Sequence, residues 1–493
     1  MRNEIGKGAI WMLLLRLFDR IVGIASTLIL ARLLVPADFG LVAMAMSVIA
    51  LIELATAFGF DVVLIQLPNP ERRHFDTAWT LTIVLYCGCG ILIGLLAIPA
   101  AAFYKDPRLV NLMLVIGAGW VLRGFENSGI VEFRRKMDFS KEFVFFAGPR
   151  LVGAFVTVVT VLVFRSYWAL VAGMVTGRIA SLALSYVMVS YRPSLDLSVA
   201  RELLSFSKWL LVNNAVLSGV VRFPHFLIGR LLGPQALGLF TISYELATLP
   251  ATEVSMPVNR AAFAGYSRMV EDKIKFKETF LDVGASVALV ALPASAGIAV
   301  IADPLVRVLL GENWLEAVPI IPILAISAAL VAVSGNNGIA HLALGYPNFL
   351  TLQSLLRLVV LVVLGVILAP AYGIVGVAIA ELCGAAVTLL ASYPVVFRRL
   401  NISVIEYGTH IWRPVVATVT MAVVVRVVED MLGVGYDVVS ALLMLTVGIV
   451  IGVCTYVILI AFMWWLCGKP DGADKILFNK VSDLIRTNVA CLS

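Results

Sequence analysis

Charge is scarce in this 493-residue chain: Asp, Glu, Lys and Arg together supply 14%, against about 25% in soluble domains. The formal net charge is +6, too small at this length for the single-sign face of a nucleic-acid binder, so no nucleic acid is expected as a partner. Histidine is rarer still. His74, His225, His341 and His410 stand far apart, and chain neighbours supply no metal or acid–base cluster. The six cysteines, Cys87, Cys89, Cys383, Cys454, Cys467 and Cys491, form no C-x-x-C. Buried inert thiols are expected, not a disulfide scaffold or a metal site. No G-x-x-x-x-G-K-[ST], G-x-S-x-G or H-E-x-x-H occurs, which excludes a P-loop, a hydrolase nucleophile elbow and a zincin centre. Neither enzyme chemistry nor a cofactor is expected.

Apolar residues are abundant. They make up 61%, against about 45–50% in soluble chains, and the mean hydropathy is +0.99. The expected fold class is an all-α polytopic membrane protein. Fourteen stretches are long enough to cross a hydrocarbon core of about 30 Å: 10–33, 38–62, 78–103, 109–131, 143–164, 167–190, 208–232, 235–262, 279–301, 318–343, 349–370, 373–397, 411–430 and 437–466. None alternates as a barrel strand would, so helices must satisfy the backbone. The first stretch is interrupted by Arg16, Asp19 and Arg20 and resumes to Leu34, too long for a cleavable signal. Loops are short, with turn residues as at Val35-Pro36-Ala37-Asp38 and Gly345-Tyr346-Pro347-Asn348. With the N-terminus in the cytoplasm, twenty Lys and Arg of the loops and tails fall on that side. Four, Lys105, Arg108, Arg165 and Arg307, fall opposite. That asymmetry predicts both termini on the cytoplasmic side.

The chain carries an internal repeat. Arg32-Leu33-Leu34-Val35-Pro36 is echoed by Arg230-Leu231-Leu232-Gly233-Pro234, and the same offset of 198 pairs Gly40 with Gly238, Leu41 with Leu239 and Trp11 with Trp209. It also sets Asp61 opposite Asn259. Two six-helix lobes related by a pseudo-two-fold along the membrane normal are predicted. The N-terminal lobe covers 1–207 and the C-terminal lobe 208–400. Two appended helices occupy 401–466, and an amphipathic tail, 467–493, lies on the cytoplasmic surface.

Ionisable groups inside spans are the functional signal, because each costs about 2.5–3.5 kcal/mol at a helix centre unless it faces water or a partner. Arg16 and Arg20 share one face of the first span, one turn apart, with Asp19 beside them. Glu53 and Asp61 lie in the second, Arg123 and Glu126 in the fourth, Arg150 in the fifth and Arg178 in the sixth. Arg222, Glu245, Glu253, Arg260, Arg357 and Glu381 lie in spans seven to twelve. Basic members exceed deep acids, so a wet seam between lobes would attract an anion, and guanidinium offers phosphate a bidentate fork. The anion-binding candidates are Arg16, Arg20, Arg123, Arg150, Arg222, Arg260 and Arg357. The carboxylates that could couple movement to an ion gradient are Asp19, Glu53, Asp61, Glu245, Glu253 and Glu381; each could equally pair with a neighbouring arginine.

The stretch Leu30-Ala31-Arg32-Leu33-Leu34-Val35-Pro36-Ala37-Asp38-Phe39-Gly40-Leu41, then Gly59-Phe60 and Leu64-Ile65-Gln66, resembles the first hairpin of polysaccharide-transport flippases. These form part of the multidrug/oligosaccharidyl-lipid/polysaccharide superfamily. Leu310-Gly311-Glu312-Asn313-Trp314-Leu315-Glu316-Ala317-Val318-Pro319 resembles the segment before their tenth span. Within that family the chain looks most like the exopolysaccharide, colanic-acid and succinoglycan exporter branch. The resemblance implies a flippase for undecaprenyl-diphosphate-linked oligosaccharide repeat units. It implies a place in the bacterial inner membrane and contact with the bilayer, with a polysaccharide polymerase and co-polymerase as possible partners. In such flippases basic residues on spans one, two and eight line a central cavity. Arg16, Arg20 and Arg260 match by span and depth, whereas span two offers Glu53 and Asp61 in place of a deep arginine. Three other readings are an ion-coupled multidrug exporter of the same superfamily, a peptidoglycan lipid-precursor flippase and a membrane-embedded polysaccharide polymerase or ligase. The last would need a large outward loop, and the longest here is 302–317.

Overall fold

The computed structural model describes residues 2–53, 60–67, 69–201, 208–433 and 437–468. The expected amphipathic tail, with Cys491, lies outside the described residues beyond Gly468. The chain divides into two compact units, Met1–Gly238 and Leu239–Ser493.

The first unit holds α1 (Arg2–Leu33), α2 (Pro36–Glu53), α3 (Phe60–Gln66), α4 (Arg72–Tyr104), α5 (Arg108–Gly124), α6 (Val131–Arg135), α7 (Phe139–Phe164), α8 (Trp168–Met188) and α9 (Lys208–Leu231). The start of α10 (Gly233–Arg268) belongs to it as well. α1 packs on α7, α7 on α8, α8 on α5, α5 on α4, α4 on α2 and α2 on α9. Sequence alone places α9 at the head of the second lobe; in the structure it groups with the first unit through α2.

Small residues let these helices touch backbone to backbone. A Cβ on Gly173 would lie 1.6 Å from Thr157 Oγ1, and one on Gly153 would lie 2.8 Å from the Gly173 carbonyl oxygen. The repeated hairpins meet in the same way. A Cβ on Gly40 would lie 1.6 Å from the Pro234 carbonyl oxygen, and one on Gly238 would lie 1.8 Å from that of Pro36. The contact is reciprocal, as two copies of one motif facing each other across an axis require. Tyr104 closes the same end, bonded to Ser47 at 2.8 Å and stacked on Phe226.

The second unit continues α10 and adds α11 (Lys273–Val300), α12 (Ala302–Leu309), α13 (Ile320–Ala343), α14 (Pro347–Leu400), α15 (Val404–Leu432) and α16 (Val438–Leu466). α14 is two helices folded about Gly373, at φ 59° and ψ −137°, a conformation open to glycine. The break falls between the two stretches that hydropathy separates, 349–370 and 373–397. α15 and α16, the appended pair, pack on α11 and α12. The Tyr456 hydroxyl donates to the Leu289 carbonyl at 2.6 Å. Asp138, Asp272, Ser403 and Asp437 cap helix N-termini with their side chains.

Counting α14 as two, fourteen helical segments of 17 residues or more occur among the described residues, each overlapping one expected span. Eight helices, counting α14 once, are long and apolar enough to cross a membrane by length and composition. α5 with its bent continuation makes nine. Large apolar side chains crowd the surface, Phe155 at 69% and Leu390 at 70% exposure among them. Such a surface suits lipid, not water. This is a multi-pass membrane protein.

Candidate functional site

Two adjoining cavities sit in the first unit, and a bend in the chain creates the wall they share. α5 ends at Gly124, and the 3₁₀ turn Ser128–Ile130 leads into α6 at 64° to it. Asn127 fixes the bend. It is fully buried; its backbone N–H donates to Ser185 Oγ, its Oδ1 accepts from Gly129 N, and its Nδ2 donates to the Tyr191 carbonyl at 2.7 Å. Arg135 ties α6 to α3, donating to the carbonyls of Leu64 and Leu67. Asp138 then caps α7, and the Lys141 ammonium and Ser140 hydroxyl hold its carboxyl below the usual carboxylate range. The outcome places Arg134 of α6 against Glu142, in the first turn of α7. Asn127→Ala would strand the Gly129 N–H and the Tyr191 carbonyl, at about 1–3 kcal/mol each. We expect a loss of several kcal/mol, read as a fall in unfolding temperature of the purified protein in detergent.

One cavity, of about 430 Å³, is lined by Glu53, Asp61, Trp79, Tyr86, Arg123 and Glu126, among others. The other, of about 320 Å³, takes Trp11, Arg16, Asp19, Phe143 and Arg150. Arg134, Glu142 and Phe146 line both. Arg123 stands over the rings of Tyr86 at 5.3 Å and Trp120 at 5.8 Å. Arg178 of α8 covers Trp120 too. Arg150 Nε lies 3.0 Å from Asp19 Oδ1, an ion pair with both partners more than half exposed. Four arginines and five carboxyl groups line the two cavities together. Base therefore does not outnumber acid here, unlike in the whole set of intramembrane charges.

The structure thus brings Arg16, Asp19 and Arg150 together, and likewise Glu53, Asp61 and Arg123. Arg20 is half-buried one turn along α1, outside both linings. Arg222 is half-buried on α9. In the second unit Glu245 and Glu253 are half-buried on α10, where Arg260 is exposed. Arg357 and Glu381, one from each candidate set, meet across the two halves of α14. Arg357 Nη2 donates to Glu381 Oε2 at 2.9 Å, with side chains 16% and 2% exposed. An apolar groove of about 820 Å³ in this unit includes the bonded hydroxyls of Tyr393 and Tyr407 and a single arginine, Arg398. It is no counterpart of the charged cavities.

Sequence reasoning missed Arg134 and Glu142 as cavity residues. Arg134 reads as one of four basic residues in a loop. The signal that could have found it is Asn127-Ser128-Gly129, a turn that breaks an apolar run and returns the chain to the bundle.

A family model described as "Polysaccharide biosynthesis protein" matches residues 29–319. The chain is 22% identical over 423 residues to the lipopolysaccharide biosynthesis protein WzxC of Escherichia coli (strain K12), covering 84% of this chain and 85% of that one. It is 26% identical over 445 residues to the succinoglycan biosynthesis transport protein ExoT of Rhizobium meliloti (strain 1021), covering 88% and 87%. Among solved structures, the lipid II flippase MurJ in an inward closed conformation matches with a TM-score of 0.74 at 11% identity, over 92% of this chain and 99% of that one. That likeness is one of fold.

Proposed function

The chain belongs to the polysaccharide biosynthesis protein family, and from that premise we propose that it is a flippase for lipid-linked oligosaccharides. Its cargo is an undecaprenyl-diphosphate-linked repeat unit, carried across the bacterial inner membrane for exopolysaccharide synthesis. One observation carries the reading: arginines in two adjoining, aromatic-walled cavities within a membrane-embedded helical unit. Guanidinium forks suit a diphosphate, and aromatic faces suit sugar rings. The prenyl chain stays in lipid while the polar head crosses.

Arg16, Arg123 and Arg150 meet the cargo first, and Arg20, Arg222 and Arg260 complete its path. Arg357, bonded to Glu381, serves packing instead. The two repeats, 1–207 and 208–400, rock to expose the path to either side in turn. No nucleotide motif occurs in the sequence, so an ion gradient or the membrane potential drives the cycle, with Asp19, Glu53, Asp61, Glu245 and Glu253 as the coupling carboxylates. Both termini face the cytoplasm. Polymer assembly follows at the outer face, by a polymerase and its co-polymerase.

Arg16→Ala, Arg20→Ala and Arg260→Ala should each abolish polymer export in a strain that depends on this chain, with the protein level unchanged on immunoblots. Normal export from all three would defeat the assignment. One observation favours a second reading. Five carboxyl groups and several aromatic rings in the linings are what an ion-coupled drug exporter would use. Such a protein would make its deletion strain drug-sensitive while export stayed intact.

A further inference from the structure

Arg134 and Glu142 stand where the two cavities join, and no other pair of opposite charges among the described residues lines both. Their surroundings are unequal. The Arg134 side chain is 41% exposed and the Glu142 side chain 7%. An anion arriving through either cavity therefore meets far more of the Arg134 side chain than of the Glu142 side chain.

A guanidinium has five N–H donors. Arg134 Nε donates to Glu142 Oε1 at 2.5 Å. Its Nη1 is 3.6 Å from Asp61 Oδ2, too long for a hydrogen bond. The other donors have no protein acceptor among the described residues, so they remain open to the cavity. The Phe146 ring, 5.7 Å from the guanidinium carbon, holds the group in place by cation–π attraction. The next residue shows what a purely structural arginine looks like here: Arg135 spends its donors on two backbone carbonyls and on Glu132. Glu142 is itself left short, because its Oε2 is buried with no partner among the described residues.

We infer that Arg134 binds the diphosphate headgroup of the lipid cargo, and that Glu142 is its built-in competitor, a carboxylate that occupies the guanidinium until phosphate takes it. This rests on the proposed carriage of a diphosphate-linked lipid. A diphosphate presents more acceptor oxygens than one carboxylate and can use the donors that Glu142 leaves open. The exchange frees the site from an internal anion only when the cargo supplies a better one, which favours phosphorylated over neutral lipids.

Binding to the purified full-length protein in detergent tests this by calorimetry, with inorganic pyrophosphate and farnesyl diphosphate as probes and thermal unfolding run alongside. Glu142→Gln should tighten both probes, and Arg134→Ala should weaken both, each by about tenfold, the scale of one charge-assisted hydrogen bond. Glu142→Gln added to Arg134→Ala should give no tightening, since the competitor then has nothing to hold. Asp61→Asn, at an exposed position, should shift affinity in the same direction as Glu142→Gln by less; it serves if the buried substitution does not fold. Farnesyl diphosphate should bind more tightly than pyrophosphate. Equal affinities would overturn the lipid headgroup as ligand. A merely structural pair predicts lower unfolding temperatures with unchanged probe affinity in every variant, and that result would overturn the inference while leaving the flippase reading standing. Wild-type protein that binds neither probe would overturn both.

Discussion

Gly40→Val is expected to prevent stable folding of the first unit. Substitution places a branched side chain where the Pro234 carbonyl oxygen already stands, 1.6 Å from the new Cβ. A flexible neighbour could rotate away, but a backbone carbonyl in the opening turn of α10 moves only if the helix moves. The Gly238 amide nitrogen is 2.9 Å from the same position, so backbone blocks a second direction. Forced separation would open the packing around Leu41, Met44 and Leu237, all fully buried. The sum exceeds the ordinary 1–3 kcal/mol of overpacking and reaches the exceptional class, above about 4 kcal/mol. The check is the unfolding temperature and monodisperse yield of the detergent-purified variant. Gly238→Val should behave alike, because the contact is reciprocal, and the double variant should cost less than the two singles together. Gly88 supplies the control. It lies inside α4 with nothing within 4 Å of a new Cβ, so Gly88→Ala should be neutral or stabilise by up to about 1 kcal/mol.

The second large effect is expected at Arg357. Its partner Glu381 is almost wholly enclosed, and removal of either side chain leaves the other charge buried without a counter-charge. Arg357→Ala or Glu381→Ala should each destabilise by about 3–5 kcal/mol. Replacing both at once, as Arg357→Met with Glu381→Leu, should recover most of that loss, since two desolvated charges give way to apolar packing. Thermal unfolding of the singles and the double completes the cycle. Arg150 and Asp19 provide the contrast. They also form an ion pair, but at 51% and 63% side-chain exposure it is worth about 0–1 kcal/mol. Stability measurements therefore sort the arginines. One that holds the fold together, Arg357, costs stability when truncated; one that faces a cavity, Arg150, leaves stability nearly intact and should disturb transport alone. Equal losses at both positions would erase that distinction.

The helical plan was readable from the chain because lipid imposes it: an apolar run of about 20 residues has no alternative to a helix. Even the break at Gly373 coincides with a gap in hydropathy. Places where the plan shifts are those where local chemistry interrupts an apolar run. The stretch 109–131 reads as one span, but the buried Asn127 finds three partners and turns the chain, so α5 stops at Gly124 and α6 departs at 64°. In the stretch 38–62 the described residues are helical over Pro36–Glu53 and again from Phe60, and residues 54–59 lie outside the described residues. The repeat was visible in Arg32–Pro36 and Arg230–Pro234, and its glycines turned out to be contact points. Which charges meet was not readable. Asp19 has Arg16 three residues away in the chain, yet its carboxylate takes Arg150 from α7. Arg357 and Glu381 are 24 residues apart, and only the fold of α14 about Gly373 brings them together. Arg134 reads as a loop cation for the same reason: spacing along a chain records nothing of a bend that returns it to the bundle.

The most direct measurement is transbilayer movement of an undecaprenyl-diphosphate-linked oligosaccharide in vesicles containing only the purified full-length chain and lipid, followed by loss of the labelled sugar from the side where it was supplied. Wild-type protein should speed that movement over protein-free vesicles, and Arg16→Ala and Arg150→Ala, folded to the same unfolding temperature, should not. Movement no faster than in empty vesicles, or undiminished movement with both arginines removed, would contradict the account.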